Sequence, residues 1–152
     1  MTAVHHTAVH HTAVVTTDVA ESLRFWRDGL GLAVLMDATF DGDWPTLLRA
    51  SGTRLRSVFL GDPAAAAAGV VELVELPSGV GARQTPAPPA EGFLLVSLFT
   101  DLDATLDRLV ALGLGGEPRR ITAYGSVGMA CVRDPSGVLV ELVDSGTARL
   151  PA

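Results

Sequence analysis

Val71-Glu72-Leu73-Val74 returns unchanged as Val140-Glu141-Leu142-Val143, and how this tetrapeptide is read decides the fold. Both copies lie in runs rich in β-branched and apolar residues, so each reads as a strand with a carboxylate at the same place on the pleat. Working backwards from each copy finds a second shared landmark, Thr17-Asp18 and Thr100-Asp101. An apolar run of β type precedes each, His11 to Thr16 and Phe93 to Phe99, and each Asp stands where it would N-cap a helix. Val19, Leu23, Trp26 and Leu30 then follow at helical spacing, and Leu102, Leu106, Leu109 and Gly113 repeat it. The chain therefore reads as a duplication, with amphipathic helices near 19–29 and 102–112 covering a sheet. Glu21 completes a capping-box spacing with Asp18, and Gly29 and Gly113 supply helix stops.

Three strand-like runs follow each helix. In the first half they are Leu32 to Thr39, Thr46 to Ala50 with Leu55 to Leu60, and Val70 to Leu76. In the second half they are Arg119 to Thr122, Val127 to Arg133 and Val138 to Val143, the last two joined by the turn Asp134-Pro135-Ser136-Gly137. The fold class is α+β: two tandem β-α-β-β-β units, about 8–76 and 93–144, in one domain spanning 1–152. Pro77 to Gly92 carries four prolines and three glycines and reads as an extended linker able to fold over a pocket. Gly61 to Gly69, with five consecutive alanines, reads as either a short helical turn or a loop.

A length of 152 residues and a hydrophobic content of 48% suit one packed domain. The formal net charge of -6 argues against a nucleic-acid or anionic-membrane surface, since both need clustered positive charge. No stretch approaches the roughly 20 apolar residues of a membrane span, and the N-terminus lacks the pattern of a secretory signal, so a cytoplasmic location is expected. All eleven basic residues are Arg, and Lys and Asn are absent, a bias of GC-rich bacterial genomes. Cys131, the only cysteine, reads as a small buried hydrophobe. Thr-Ala-Val-His-His occurs twice before residue 12. Alternation puts neighbouring histidines on opposite strand faces, so the tract reads as a frayed extension with one useful His.

The string from His11 through Asp18 to Ser22-Leu23-Arg24-Phe25-Trp26 and Leu30-Gly31-Leu32 resembles the opening of the vicinal oxygen chelate superfamily, which includes glyoxalases, bleomycin-resistance proteins and extradiol dioxygenases. Asp134-Pro135-Ser136-Gly137-Val138-Leu139-Val140-Glu141-Leu142 resembles its closing hairpin. The resemblance implies two units curling into a half-open, barrel-like sheet with the helices outside, and commonly a homodimer. It implies a divalent metal, such as Zn, Ni, Mn, Co or Fe, held by His11, Glu72 and Glu141, with Glu72 or Glu141 as the catalytic base.

The second-unit His of the family is missing, because its place falls on Leu94 or, with a one-residue slip, Phe93. One imidazole and two carboxylates could still hold a hard or borderline ion. The implied activity is a glyoxalase-like lyase or an isomerase/epimerase acting on a small oxygenated metabolite by chelating adjacent oxygens. The alternative is a metal-free, bleomycin-resistance-like protein that sequesters an antibiotic. An extradiol dioxygenase is disfavoured by the missing His, and a scaffold without a small-molecule site is a further possibility. On the first strand and in the two matched tetrapeptides, His11, Glu72 and Glu141 are expected to converge on one cavity. Tyr124 and Arg133 near the second hairpin could contact substrate, but a packed ring and a solvated charge are the preferred readings, and Phe25 and Trp26 read as core.

Overall fold

The computed structural model describes residues 7–148. Unit one runs β1 (His11–Thr16), α1 (Val19–Leu23, continued by a π turn, Arg24–Gly29), β2 (Ala33–Asp41), α2 (Trp44–Leu48), β3 (Arg54–Gly61) and β4 (Val70–Glu75). Unit two runs β5 (Val96–Thr100), α3 (Leu102–Ala111), β6 (Gly115–Ala123), β7 (Val127–Arg133) and β8 (Leu139–Asp144). They build two four-stranded sheets, ordered β1-β4-β3-β2 and β5-β8-β7-β6, neither closed into a barrel. Within each sheet the first strand pairs parallel with the last, and the other pairs are antiparallel.

Both helices begin as their sequences require. Asp18 accepts a hydrogen bond from the Glu21 amide at 3.0 Å, and Asp101 one from the Ala104 amide at 3.1 Å. The capping box is not completed: the Glu21 carboxylate instead meets Arg24, one turn on, at 2.9 Å. Gly113 ends α3 in the left-handed region at φ 68°. Gly29 has another duty. A Cβ there would lie 2.5 Å from Leu109 Cδ2, so glycine lets the helices of the two units touch without displacing that side chain.

Their apolar stripes meet in one core. Phe25, Trp26 and Leu73 of unit one join Leu109, Val140 and Leu142 of unit two in a single buried cluster. At about 25 cal/mol per Å² of apolar surface removed from water, this is the dominant stabilising term. Polar bonds tie the same seam: Arg108 Nε donates to the Gly29 carbonyl at 3.1 Å, and Arg24 Nη2 to the Leu112 carbonyl at 2.8 Å. Trp26 Nε1 donates to Asp134 Oδ2 at 3.1 Å, while Asp134 Oδ1 accepts from the Ser136 and Val138 amides at 2.9 and 2.8 Å. Burial pushes the Asp134 carboxyl above its usual pKa range, and these donors pull against that shift.

Several elements differ from the sequence expectation. Thr46 to Ala50 is not a strand: Asp43 caps Thr46, and Pro45 sits in the first turn of α2. An Asp followed by Pro at the first turn is a helix start that outweighs local β propensity. β6 extends well beyond Arg119 to Thr122, with an irregularity between Gly115 and Arg119. Pro63–Ala65 forms a 3₁₀ turn, and residues 77–92 contain neither helix nor strand. Tyr124 is 95% exposed on a turn at φ 50°, so its ring is not packed. Cys131 is only partly buried. His5 and His6 lie outside the described residues. Among those described, no helix is long and apolar enough to cross a membrane.

Asp134 acts here only as an acceptor. In Asp134→Asn the new amide N–H must face the Trp26 indole or a backbone N–H. Urea denaturation should show a loss of about 1–3 kcal/mol. Unchanged stability would remove Asp134 from its place in the seam.

Candidate metal and substrate site

Leu73 and Leu142 are fully buried, so strand alternation turns their neighbours Glu72 and Glu141 away from the core. Val70 and Val74 share the Glu72 face, whereas Glu75 lies on the other and reaches Arg56 at 3.5 Å.

On the outer face of unit one, His11 Nε2 lies 3.1 Å from Glu72 Oε2. Ser57, buried on β3, donates to Glu72 Oε1 at 2.6 Å, so both carboxylate oxygens are engaged. The His11 ring stands edge-on to Phe59 with centroids 5.8 Å apart, and its Nδ1 is 2.8 Å from His10 Nδ1. An imidazole nitrogen beside a carboxylate oxygen is a donor pair suited to a borderline divalent ion.

On the outer face of unit two, Ser97, Glu141, Cys131 and Arg119 occupy one rung across four strands. Ser97 donates to Glu141 Oε1 at 2.7 Å. Glu141 faces a cavity of about 980 Å³, with Phe93, Leu94 and Ile121 on its apolar side and Arg119 and Arg133 on its polar side. Residues 84–90 line the same cavity, as a linker folded over a pocket would. Gly137, at φ 89°, lacks the Cβ that would collide with the Gln84 carbonyl, so the linker can pass close over the closing hairpin. Burial raises the pKa of the Cys131 thiol. Glu141 raises it further, and Arg119 and Arg133 oppose the shift.

The expected convergence of His11, Glu72 and Glu141 is not met within one chain. His11 and Glu72 meet, but Glu141 lines a cavity that neither of them lines. Among the described residues, no three His, Cys, Asp or Glu side chains gather as a metal-holding group. The physical reason is the shared core: each sheet turns its other face to it, and no hydrogen-bonded ladder joins the sheets.

The place equivalent to His11 also needs correcting. Ala13 lies opposite Glu72, and Ser97 opposite Glu141. Counting back two residues from each, His11 corresponds to Leu95, not to Leu94 or Phe93. Thr17 is an extra residue between strand and cap in unit one, which shifts a count made from the Asp residues. Leu95 is no ligand either.

Ser57, Ser97 and Arg119 were not singled out from the sequence. The available signal was a lone polar residue on an otherwise apolar strand face, and it identifies no partner.

The two serines should differ in energetic weight. Ser57→Ala leaves a half-buried carboxylate oxygen unpaired and should cost about 1.5–3 kcal/mol in chemical denaturation. Ser97→Ala, at an exposed position, should cost under about 1 kcal/mol. Equal costs would contradict the burial difference between the two glutamates.

Comparison with known proteins agrees with this geometry. The model of the Glyoxalase/Bleomycin resistance protein/Dioxygenase superfamily matches residues 8–142. The lactoylglutathione lyase-like protein terB of Aspergillus terreus is 42% identical over 154 residues, covering 93% of this chain and 74% of that one. A glyoxalase family protein from Bacillus cereus superposes with a TM-score of 0.72 at 21% identity, covering 95% of this chain and 97% of that one. The trypanothione-dependent glyoxalase I of Leishmania major superposes with a TM-score of 0.63 at 21% identity, covering 93% and 88%. At such identities these two structures establish the fold alone. The chain belongs to the Glyoxalase/Bleomycin resistance protein/Dioxygenase superfamily.

Proposed function

We propose that this chain is a divalent-metal-dependent lyase or isomerase acting on a small oxygenated metabolite. Its site would be completed in a homodimer, with His11 and Glu72 from one protomer and Glu141 from its partner. The observation that carries this reading is the 3.1 Å approach of His11 Nε2 to Glu72 Oε2 on an outward-facing sheet. The name of the Aspergillus terreus relative points to the same chemistry. Exposed apolar side chains on the outer faces support the dimer: Val15, Met36, Phe99 and Ile121 are 43%, 44%, 58% and 64% exposed. A second chain would cover them.

His11, Glu72 and Glu141 are the residues that would hold the ion, which when bound supplies polarisation of adjacent substrate oxygens. The chain's own groups divide the remaining work. Glu72 has one oxygen on Ser57 and the other on His11, so it is a held carboxylate. Glu141 has Oε1 held by Ser97, while Oε2 carries no hydrogen bond among the described residues. Oε2 of Glu141 is therefore the oxygen left both to hold the ion and to act as general base, and it would serve as base where substrate takes its place as a ligand. Phe93, Leu94 and Ile121 give that proton transfer an apolar side.

A metal-free sequestering protein is the second reading. It is favoured by Leu95 in the place equivalent to His11 and by the apolar wall of the unit-two cavity.

Elemental analysis of freshly purified protein separates the two. Bound zinc, nickel, manganese, cobalt or iron is expected, lost in His11→Ala and weakened in Glu141→Gln, which should also abolish turnover. Metal-free protein that holds an antibiotic equally well with and without Glu141→Gln would establish sequestration instead. Sedimentation should give a dimer at micromolar concentration, and a monomer there would exclude a shared site.

A further inference from the structure

Arg119 and Arg133 take no part in the chemistry above, yet both point into the unit-two cavity. Arg119 lies opposite Cys131, the residue opposite Glu141, and Arg133 is two residues along β7 on the same face. Arg24, Arg27, Arg54, Arg56 and Arg120 each pair with an Asp or Glu, whereas Arg49, Arg83 and Arg108, which do not line this cavity, make no ion pair among the described residues. Among the described residues, neither Arg119 nor Arg133 makes an ion pair. Arg133 Nη1 donates to the Gly137 carbonyl at 2.6 Å, which fixes its guanidinium and leaves its other N–H groups free for a ligand.

The duplication supplies an independent comparison. Phe59 lies opposite Glu72 as Cys131 lies opposite Glu141, so Met36 and Gly61 take the places of Arg119 and Arg133 in unit one. Neither carries charge. The two guanidiniums are therefore an addition to unit two and not part of the repeated scaffold. Although Glu117 and Glu141 also line this cavity, neither guanidinium is held in an ion pair with them, so both retain N–H groups that an anion can engage.

We infer that Arg119 and Arg133 form a carboxylate subsite, and that the ligand of this cavity is a small monoanionic acid with an apolar body and an oxygen beside its carboxylate. This names the substrate class of the site proposed above and rests on that proposal for its catalytic meaning. Charge favours a monoanion over a dianion. Glu117 and Glu141 line the same cavity and balance the two guanidiniums, so a single carboxylate adds one negative charge and a phosphate dianion adds two. The planar guanidinium fork suits a carboxylate bound through two oxygens.

Nuclear magnetic resonance titration of the full-length protein with mandelate and with its neutral amide, mandelamide, tests this. The mandelate ring suits the apolar wall, and its hydroxyl and carboxylate suit the polar side. Saturable shifts at Ile121 and Met129 are expected with mandelate, and binding of mandelamide should be weaker by roughly tenfold or more. Arg119→Gln should remove that preference, and Arg119→Lys should recover only part of it. The preference should survive in His11→Ala, so failure of the metal proposal and failure of this one are separately visible. The subsite is overturned by equal binding of acid and amide, by the absence of a saturable mandelate shift, or by an unchanged preference in Arg119→Gln. A preference lost in His11→Ala would also overturn it, by placing the anion on a metal. Inorganic phosphate displacing mandelate as readily as benzoate does would overturn the carboxylate assignment.

Discussion

Strand alternation about one shared core is the constraint on which the molecule depends. Leu73 and Leu142 are buried in the same apolar cluster, and each follows a glutamate directly. Reversing either strand would bring a carboxylate into that core at a cost of several kcal/mol. Glu72 and Glu141 therefore face outward on two different sheets. The helices that meet at Gly29 and Leu109, and the indole bond from Trp26 to Asp134, hold those sheets on either side of the core. One chain thus presents two outward-facing glutamates, which under the proposed function are two half-sites.

The half-sites share a plan and differ in chemistry. Each places a serine against a glutamate oxygen, Ser57 on Glu72 and Ser97 on Glu141. The serines come from different strands, β3 in unit one and β5 in unit two. Unit one adds an imidazole to its carboxylate, whereas unit two adds two guanidiniums and an apolar trough. In the proposed dimer, the imidazole–carboxylate half of one protomer would meet the guanidinium-bearing half of the other. Such a division gives a functional reason for the loss of symmetry after duplication.

The sequence made the duplication legible because its markers are local. Asp18 and Asp101 cap helices through contacts three residues away, and the Val-Glu-Leu-Val strands lie beside the first strands of their units. The matched tetrapeptides also showed that Glu72 and Glu141 take the same place on the pleat. What escaped was set by less local competition. The start signal of α2 at Asp43 and Pro45 outweighed the β character of its residues, and the extra Thr17 displaced the counterpart of His11 to Leu95. Convergence of the three ligand residues was illegible for a deeper reason. A strand pattern shows which face is buried, but not whether two outer faces of one chain look toward each other.

The central claim is that the site is divided between protomers, and mixed dimers test it most directly. His11→Ala and Glu141→Gln chains, each deficient in metal binding alone, should regain binding when co-assembled, because one of the two sites in each mixed dimer then carries all its native ligands. Co-assembly of His11→Ala with Glu72→Gln should regain nothing, since those two residues come from the same chain. Recovery in the first mixture and not in the second is the expected result. No recovery in the first, or equal recovery in both, would contradict a site built from His11 and Glu72 of one protomer and Glu141 of the other.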